Sequence, residues 1–352
     1  MKVLIVNTLE YDLNGVANVI VSTVENMHGI ASDVDITLTS YGEFNEANMK
    51  KVEGKVSIEK VPNRKKQMFK YLNHLKKIAK DYDVIHVHGN SSTMIVELFA
   101  LRKYKNKVIV HGHATQCSHS KIHRVLKSIF SKMAKNRVAC SEDAGKFLYN
   151  NDFTVLPNGI YTSRFVFNSE HRETLRNELG IDDKVVYLHV GFFNWQKNHN
   201  FLVDCIKKTD NSNKVFAFVG AGELEEEIKN RLSEEEKKYV LFLGQKKDVY
   251  RYYSMADVFV FPSLHESFGL VLLEAQINGL ECIASERISR SSLAIEELVE
   301  YLPLEEDKWI DAIESKSKRK EYKLDMNKIN KFDTSYTTKQ AYEYWLKVSN
   351  SK

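Results

Sequence analysis

The chain has 352 residues, of which 43% are hydrophobic and 28% charged, and its formal net charge at pH 7 is +4. This composition excludes a disordered or fibrous protein and is typical of a globular chain with two domains, and the mild charge gives no support to nucleic-acid binding. No apolar run is long enough to cross a bilayer, and the N-terminus lacks the core of a signal peptide. Four scattered cysteines without a C-x-x-C pair fit a reduced, cytoplasmic protein: Cys117, Cys140, Cys205 and Cys282.

Short apolar runs that predict buried strands alternate with helical patterns in the first half of the chain. The first three strands are expected at Val3–Val6, Val34–Leu38 and Val56–Val61. A loop from Thr8 to Asn14 leads from the first strand to Gly15 and a helix. A strand, a glycine-bearing loop and a helix in this order open many nucleotide-binding folds. An ordinary tight turn at Gly15 is an equally good interpretation.

Two basic stretches in this half predict amphipathic helices. Residues 64–80 place five apolar side chains on one side, namely Met68, Tyr71, Leu72, Leu75 and Ile78. Seven basic side chains are expected to face outward: Arg64, Lys65, Lys66, Lys70, Lys76, Lys77 and Lys80. Residues 121–135 carry a second apolar set at helical spacing: Ile122, Val125, Leu126, Ile129 and Phe130. Either both helices have ordinary solvated faces, or their basic faces rest on anionic lipid.

Two further strands end in pairs of histidines. Residues 83–89 read DVIHVHG and residues 107–113 read KVIVHGH. Strand alternation places His86 with His88 on one face, and His111 with His113 on one face of the other strand. A single strand histidine is usually structural, whereas two pairs at the carboxyl ends of strands suggest a binding site. No Asp or Cys nearby completes a zinc-binding set.

A turn at Pro157-Asn158-Gly159 closes the first half, because Pro fixes φ while Asn and Gly tolerate positive φ. We predict a first domain over residues 1–160 and a second over residues 161–333, with the boundary at this turn. Residues 334–352 are expected to form a separate C-terminal helix, from the amphipathic pattern TTKQAYEYWLKV.

The second half repeats the alternation of strand, glycine-bearing loop and helix. A strand over Lys184–Val190 leads to Gly191 and, six residues later, Lys197. A strand over Val215–Val219 leads to Gly220-Ala221-Gly222, and Val240–Leu243 leads to Gly244 and Gln245. Lone G-x-G turns are weak evidence of nucleotide binding.

The most informative stretch is Val258–Ala284. An unbroken apolar strand, Val258–Phe261, is followed by a polar loop and by a helix that starts near Gly269. The first amides of this helix, around Phe268 to Val271, suit an anion such as a diphosphate. The donor-binding candidates here are Ser267, Phe268, Gly269 and Leu270. Glu266 and Glu274 flank them, eight residues apart. The alternative is a capped helix with two solvated glutamates.

This stretch resembles the E-x7-E signature of the retaining GT-B glycosyltransferases of family four. The matching residues are Pro262-Ser263, Glu266, Phe268-Gly269, Glu274-Ala275 and Gly279. Pro157-Asn158-Gly159 resembles the motif at the crossing between the two domains of that family. Lys197 matches a second motif, in which Arg and Lys clamp the donor diphosphate. Phe192 stands where the Arg is expected, and the loss of one charged hydrogen bond of about 1.5–3 kcal/mol predicts weaker donor binding.

The resemblance implies a fold of two doubly wound Rossmann-like α/β domains facing a central cleft, with the C-terminal helix crossing back to the first domain. It implies transfer of a sugar, with retention, from a nucleotide diphosphate sugar (a UDP-sugar is expected) to a glycan or lipid-linked acceptor in surface-polysaccharide biosynthesis. No metal or other cofactor is expected. Contact with the inner face of the plasma membrane through the basic helices is expected to serve a lipid-linked acceptor.

The resemblance also assigns roles to residues. Glu266 and His113 are expected to position the donor sugar, Lys197 to hold the diphosphate, and Glu274 to hold the ribose. Five further donor-side residues are Gly15, Gly191, Gly220, Gly222 and Gln245. Three acceptor-side candidates are His86, His88 and His111.

Two alternatives share the architecture. The chain could be a non-catalytic GT-B partner subunit of another glycosyltransferase, which would explain Phe192, or a GT-B nucleotide-sugar epimerase. The joint presence of Glu266, Glu274 and Lys197 favours an enzyme. The oligomeric state is left open.

Overall fold

A computed structural model describes residues 1–11, 15–42, 44–117 and 119–351. The chain forms two compact α/β units, one of residues 1–160 with 331–352 and the other of residues 161–330. Asn14, part of the glycine-bearing loop expected before Gly15, lies outside the described residues. The prediction of two Rossmann-like domains is confirmed, since each unit holds a wholly parallel sheet with helices on it.

The first unit is built on a seven-stranded parallel sheet with the strand order β3-β2-β1-β4-β5-β6-β7. Its strands are β1 Lys2–Asn7, β2 Asp35–Ser40, β3 Ser57–Lys60, β4 Val84–Gly89, β5 Val108–Gly112, β6 Asn136–Ala139 and β7 Thr154–Val155. The central strands are buried on both faces, which explains why their sequences are almost continuously apolar.

The helices of the first unit that precede residue 160 alternate with these strands. They are α1 Gly15–Ile30, α2 Glu46–Val52, α3 Met68–Ile78, α4 Ile95–Ala100, α5 Ser120–Met133 and α6 Glu142–Leu148. One core lies between the sheet and α3 to α6, and it includes Tyr71, Leu75 and Phe130. A second core lies on the opposite face of the sheet, against α1 and α2.

The second unit is built on a six-stranded parallel sheet with the strand order β10-β9-β8-β11-β12-β13. Its strands are β8 Val185–Val190, β9 Lys214–Val219, β10 Val240–Gly244, β11 Val258–Phe261, β12 Glu281–Ser285 and β13 Val299–Leu302. Strand β11 has the bounds predicted from its apolar run. It lies at the centre of the sheet between β8 and β12.

The remaining helices belong to the second unit, except for the last. They are α7 Ser169–Leu179, α8 His199–Lys208, α9 Glu225–Asn230, α10 Val249–Met255, α11 Leu270–Asn278, α12 Glu306–Ser315, α13 Met326–Asn330 and α14 Thr334–Ser349. Helix α14 packs on α1 in the first unit, where Trp345 and Val348 are buried, so the predicted return of the last helix is confirmed. Residues 331–333 join the same unit through pairing of Ile160 with Asp333.

The first basic helix differs from its prediction at its start. Helix α3 begins at Met68 rather than near residue 64, and Arg64 does not face outward. The Nε of Arg64 lies 2.6 Å from Oε1 of Glu97, whose side chain is fully buried. A buried carboxylate requires a charged partner, and Arg64 supplies it from a distant part of the sequence.

The second basic helix buries only part of the apolar set that the sequence places at helical spacing. In α5 only Phe130 of the five apolar residues is buried, together with His123 and Ser131. Ile122, Val125 and Ile129 are exposed, and 73% of Val125 is accessible. Among the described residues, no helix is both long enough and apolar enough to cross a membrane.

Candidate active site

Three loops of the second unit meet at the carboxyl ends of its central strands. The loops follow β9, β8 and β11, which are neighbours in the sheet. The amide of Phe193 donates to the carbonyl of Ala221 at 3.1 Å, and the amide of Leu264 donates to the carbonyl of Gln196 at 2.8 Å. The Asn198 side chain adds a hydrogen bond of 3.1 Å to the carbonyl of Pro262. In parallel sheets this edge is where ligands bind.

The two glycines after β9 are required by this close approach of loops. A Cβ at Gly220 would lie 1.9 Å from the carbonyl oxygen of Gly191. A Cβ at Gly222 would lie 2.5 Å from the carbonyl oxygen of Phe193. The G-x-G pattern therefore has a packing cause inside the protein, and its predicted contact with a donor stays a prediction.

The loops bring together the two predicted charged residues, Lys197 and Glu266. Their Nζ and Oε1 atoms are 2.6 Å apart, and their side chains are only 14% and 13% exposed. The ammonium group also lies 4.9 Å from the centre of the Phe261 ring. The loop of Lys197 is held by Asn194, whose side chain accepts from the Lys197 amide at 3.1 Å. A partly buried cation and a carboxylate are thus held together at one position.

Helix α11 begins directly beside this ion pair. Its first residue is Leu270, and Gly269 is its N-cap. Phe268 is buried, whereas Ser267 and Leu270 are partly exposed. The first turn of any helix carries partial positive charge, so the α11 N-terminus suits an anionic group. Lys197 can add its charge to that group when it leaves Glu266.

Glu274 lies in the second turn of α11 and has a partner that the sequence does not reveal. The hydroxyl of Tyr253, on α10, donates to Oε2 of Glu274 at 2.6 Å. Burial raises the pKa of Glu274 to about 7, although the Tyr253 hydrogen bond acts in the opposite direction. This carboxyl group therefore changes charge near neutral pH. No spacing pattern links Tyr253 to Glu274, because they lie on different helices.

The other predicted donor-side residues occupy less enclosed positions. Gln245 is exposed and follows Gly244, whose carbonyl accepts from the amide of Gly220 at 3.0 Å. Gly15 is exposed at the start of α1, in the first unit. Phe192 is 48% exposed where the family motif has Arg.

The four predicted histidines form one buried cluster in the first unit. His88 pairs with His111 across β4 and β5, and Nδ1 of His88 lies 2.9 Å from Nε2 of His113. Nε1 of Trp345, on α14, donates to Nδ1 of His86 at 3.1 Å. Burial lowers the pKa of His86 to about 3 and that of His113 to about 4, so the cluster is neutral at pH 7. The catalytic role of His113 and the acceptor-side roles of the others stay predictions.

Sequence profiles of two families match separate parts of the chain. The profile described as "Glycosyl transferases group 1" matches residues 171–328, and "Glycosyltransferase Family 4" matches residues 13–164. The first match contains the meeting loops of the second unit, and the second contains the histidine cluster.

The chain is also similar to individual proteins. EpsF of Bacillus subtilis is 32% identical over 246 residues, which are 64% of this chain and 63% of EpsF. The UDP-Gal:alpha-D-GlcNAc-diphosphoundecaprenol alpha-1,3-galactosyltransferase of Escherichia coli is 28% identical over 223 residues, 58% of each chain. The chain therefore matches less than two thirds of the length of these relatives.

A solved structure extends the likeness in fold to nearly the whole chain. Alr3699/HepE of Anabaena in complex with UDP has a TM-score of 0.75 and 17% sequence identity, with 99% of this chain and 97% of that chain covered. At this identity the likeness shows the GT-B fold alone.

Proposed function

Because the chain belongs to the group 1 glycosyl transferases of glycosyltransferase family 4, we propose that it transfers a sugar from a nucleotide diphosphate sugar to a hydroxyl group of a glycan or lipid-linked acceptor. The observation that carries this proposal is the Lys197–Glu266 ion pair beside the N-terminus of α11. In this pair Lys197 supplies a cation to the leaving diphosphate, and Glu266 supplies a carboxylate to the reacting sugar.

We take the donor to be a UDP-sugar and the setting to be surface-polysaccharide assembly. The name of the Escherichia coli relative specifies UDP-Gal as its donor and a lipid diphosphate sugar as its acceptor. The Anabaena structure holds UDP. Retention of the anomeric configuration is part of the proposal, since the matching motifs are those of retaining enzymes.

In the proposed reaction, the bond between the anomeric carbon of the sugar and the diphosphate oxygen breaks, and the acceptor oxygen bonds to the same carbon. Negative charge develops on the leaving diphosphate, which takes up the proton that the acceptor hydroxyl loses. Lys197 is drawn from Glu266 to this charge, and the first-turn amides of α11 act with it. Glu266 is then free to accept a hydrogen bond from the sugar, and ionised Glu274 accepts from the ribose hydroxyls. Phe192 contributes no charge, so we expect weaker donor binding than an Arg would give.

We propose that this transfer requires no divalent cation, because Lys197 and the helix supply positive charge where the diphosphate would bind. The test is donor turnover in a chelating buffer. Unchanged turnover in EDTA is expected, and loss of turnover that Mg²⁺ or Mn²⁺ restores would contradict this part of the proposal.

The main test is release of nucleoside diphosphate from a panel of UDP- and GDP-sugars, with a synthetic lipid-diphosphate sugar as acceptor. We expect release with one donor, and a fall in kcat of roughly 100- to 1,000-fold in Lys197→Ala. Glu266→Ala should also lose turnover. Lys208→Ala is the matched control, since it breaks an exposed ion pair with Glu306 of the same type.

The rival function of a non-catalytic partner subunit predicts a different result. It requires no release from any donor and no stabilisation of the folded protein by UDP or GDP. Turnover that persists in both Lys197→Ala and Glu266→Ala would also overturn the proposed site.

We further propose that α5 rests on an anionic lipid surface, which would bring the enzyme to a lipid-linked acceptor. Its exposed side chains Ile122, Val125 and Ile129 recur at helical spacing, and Lys121, Arg124 and Lys132 flank them. This combination of an apolar stripe and basic neighbours suits the interface of an anionic bilayer.

Sedimentation with vesicles tests this contact. Binding to phosphatidylglycerol vesicles is expected to exceed binding to phosphatidylcholine vesicles, and Val125→Asp should weaken it roughly tenfold or more because it removes apolar area and adds repulsion. Ser128→Asp, an exposed change on the same helix, controls for charge alone. Equal binding of both variants and the wild type would contradict an apolar contact through α5.

A further inference from the structure

We propose that His86, His88 and His111 form a binding site for one divalent transition-metal ion of the zinc type, on the face of the first sheet covered by α1 and α14. Each of the three buried residues offers a ring nitrogen, and these nitrogens lie within 4.8 Å of one another. This proposal does not depend on the proposed transfer chemistry, because its tests measure bound metal and not turnover.

The parallel register of β4 and β5 produces this arrangement. His88 and His111 are direct neighbours across the two strands, and His86 precedes His88 by two residues on the same face. In tetrahedral zinc sites each ligand nitrogen lies about 2.0–2.1 Å from the metal, so the nitrogens are roughly 3.3 Å apart. The imidazoles must turn to reach that separation, because the His86 and His111 rings are stacked with an interplanar angle of 4° and the lone pair of each nitrogen lies in its ring plane.

The hydrogen-bond partners of the cluster are incomplete without an ion. Nε2 of His86 has no hydrogen-bonding partner among the described residues. Neither ring nitrogen of His111 makes a hydrogen bond of normal geometry there, although the backbone of Leu156 lies close enough to raise its pKa. A buried polar group without a hydrogen bond lowers the stability of the folded protein by about 1–3 kcal/mol. Burial lowers the pKa of all three imidazoles and keeps them neutral, which is the form that ligates metals.

The space between the rings and the helices suits one ion. A cavity of about 30 Å³ is bordered by His86, His88 and His111 and by residues of α1 and α14. Three neutral imidazoles with an open fourth position are a common ligand set of zinc. The His88 Nδ1–His113 Nε2 contact orients the ring of His88, as outer hydrogen bonds do for metal-bound imidazoles.

Trp345 gives the site a spectroscopic signature. Its Nε1 donates to Nδ1 of His86, so His86 without metal carries its own proton on Nε2. Ligation by His86 requires a change of tautomer or of ring orientation, and either change breaks the hydrogen bond from Trp345. Metal binding is therefore expected to alter the fluorescence of this buried tryptophan.

The first experiment measures bound zinc in the full chain without a polyhistidine tag. Protein stripped with EDTA is dialysed against Zn²⁺, and bound metal is measured by atomic emission. We expect one zinc ion per chain in the wild type and its loss in both His88→Gln and His111→Gln. His199→Gln, which removes a similarly buried and unpartnered imidazole from the second unit, should still hold one ion.

The second experiment titrates the protein with Ni²⁺ and follows tryptophan fluorescence. Quenching should be complete at one equivalent in the wild type, whereas Trp345→Phe should keep its zinc and lose most of the quenching. Circular dichroism checks that each variant is folded. No zinc on the folded wild type, or equal zinc on the wild type, His88→Gln and His111→Gln, would overturn the proposal.

Discussion

At the scale of single residues, the pair of Tyr253 and Glu274 decides the charge of the proposed donor site. Glu274 can accept hydrogen bonds from a ribose through both oxygens only when it is ionised. Burial raises its pKa to about 7, and the Tyr253 hydroxyl favours the ionised form. The affinity for the donor should therefore rise with pH as Glu274 loses its proton.

Tyr253→Phe tests this coupling. Without the hydroxyl, the pKa of Glu274 should rise further, and the pH at which the donor KM improves should move up by on the order of one unit. The measurement is donor KM between pH 6 and pH 9. Tyr187→Phe removes another buried hydroxyl, one bonded to the carbonyl of Ile313, and should leave the KM profile unchanged. An unshifted profile in Tyr253→Phe would contradict the coupling.

Also at this scale, Gly220 illustrates a requirement set by neighbouring backbone. Gly220→Ala is expected to destabilise the second unit by about 1–3 kcal/mol, since its Cβ would meet the Gly191 carbonyl at 1.9 Å. Thermal unfolding measures the loss. Gly29→Ala, in α1, has nothing within 4 Å of the new Cβ and should stabilise by up to about 1 kcal/mol. An unchanged unfolding temperature in Gly220→Ala would show that the loops after β8 and β9 can move apart to make room for the Cβ.

At the scale of elements, α14 completes the first unit although it follows the whole second unit in sequence. Trp345 is 1% exposed and lies against α1 and the His86 end of the sheet. The amphipathic pattern of the last residues predicted a helix. Only the burial of Trp345 shows which face of the sheet this helix covers.

Trp345→Ala should therefore lower the free energy of unfolding of the first unit by about 3–5 kcal/mol. Denaturant unfolding followed by circular dichroism measures this loss. Trp195→Ala is the control, because Trp195 is 61% exposed in the second unit and its removal leaves no buried cavity. Equal effects of the two changes would show that α14 contributes little to the stability of the first unit.

At the scale of the whole molecule, the buried histidines make stability depend on pH. Burial lowers the pKa values of His86, His88, His111 and His113 in the folded state, whereas the unfolded chain has values near 6.5. The unfolded chain therefore binds more protons below about pH 6.5. Folding stability is complete above that pH and falls as the pH drops toward the folded-state values, by up to about 1.4 kcal/mol per unit for each histidine.

Urea unfolding between pH 4 and pH 8 tests this dependence in metal-free buffer. The wild type should lose stability steeply below about pH 6.5, and His111→Gln should show a shallower loss. His28→Gln changes an exposed histidine on α1 and should retain the wild-type slope. If the free energy of unfolding depended on pH in the same way in all three proteins, the histidine cluster would be excluded as the cause.

The sequence predicted the elements best where one short segment contains all the information. The apolar run Val258–Phe261, bounded by Pro262, gave the correct bounds of β11. The prediction that Arg64 faces outward was wrong, and α5 buries only Phe130 of its apolar set. Periodicity identifies the two faces of a helix, but the rest of the fold decides which face meets the core.

For the candidate site, the sequence by itself determined the family, the parallel α/β architecture and the charged residues Lys197 and Glu266, because local spacing and apolar runs carry that information. Only the tertiary structure decided that these two pair, that Tyr253 holds Glu274, and that four histidines share one buried cluster. These contacts join residues far apart in the chain. They arise from strand order and helix placement, which bring together side chains whose partners no short sequence pattern specifies.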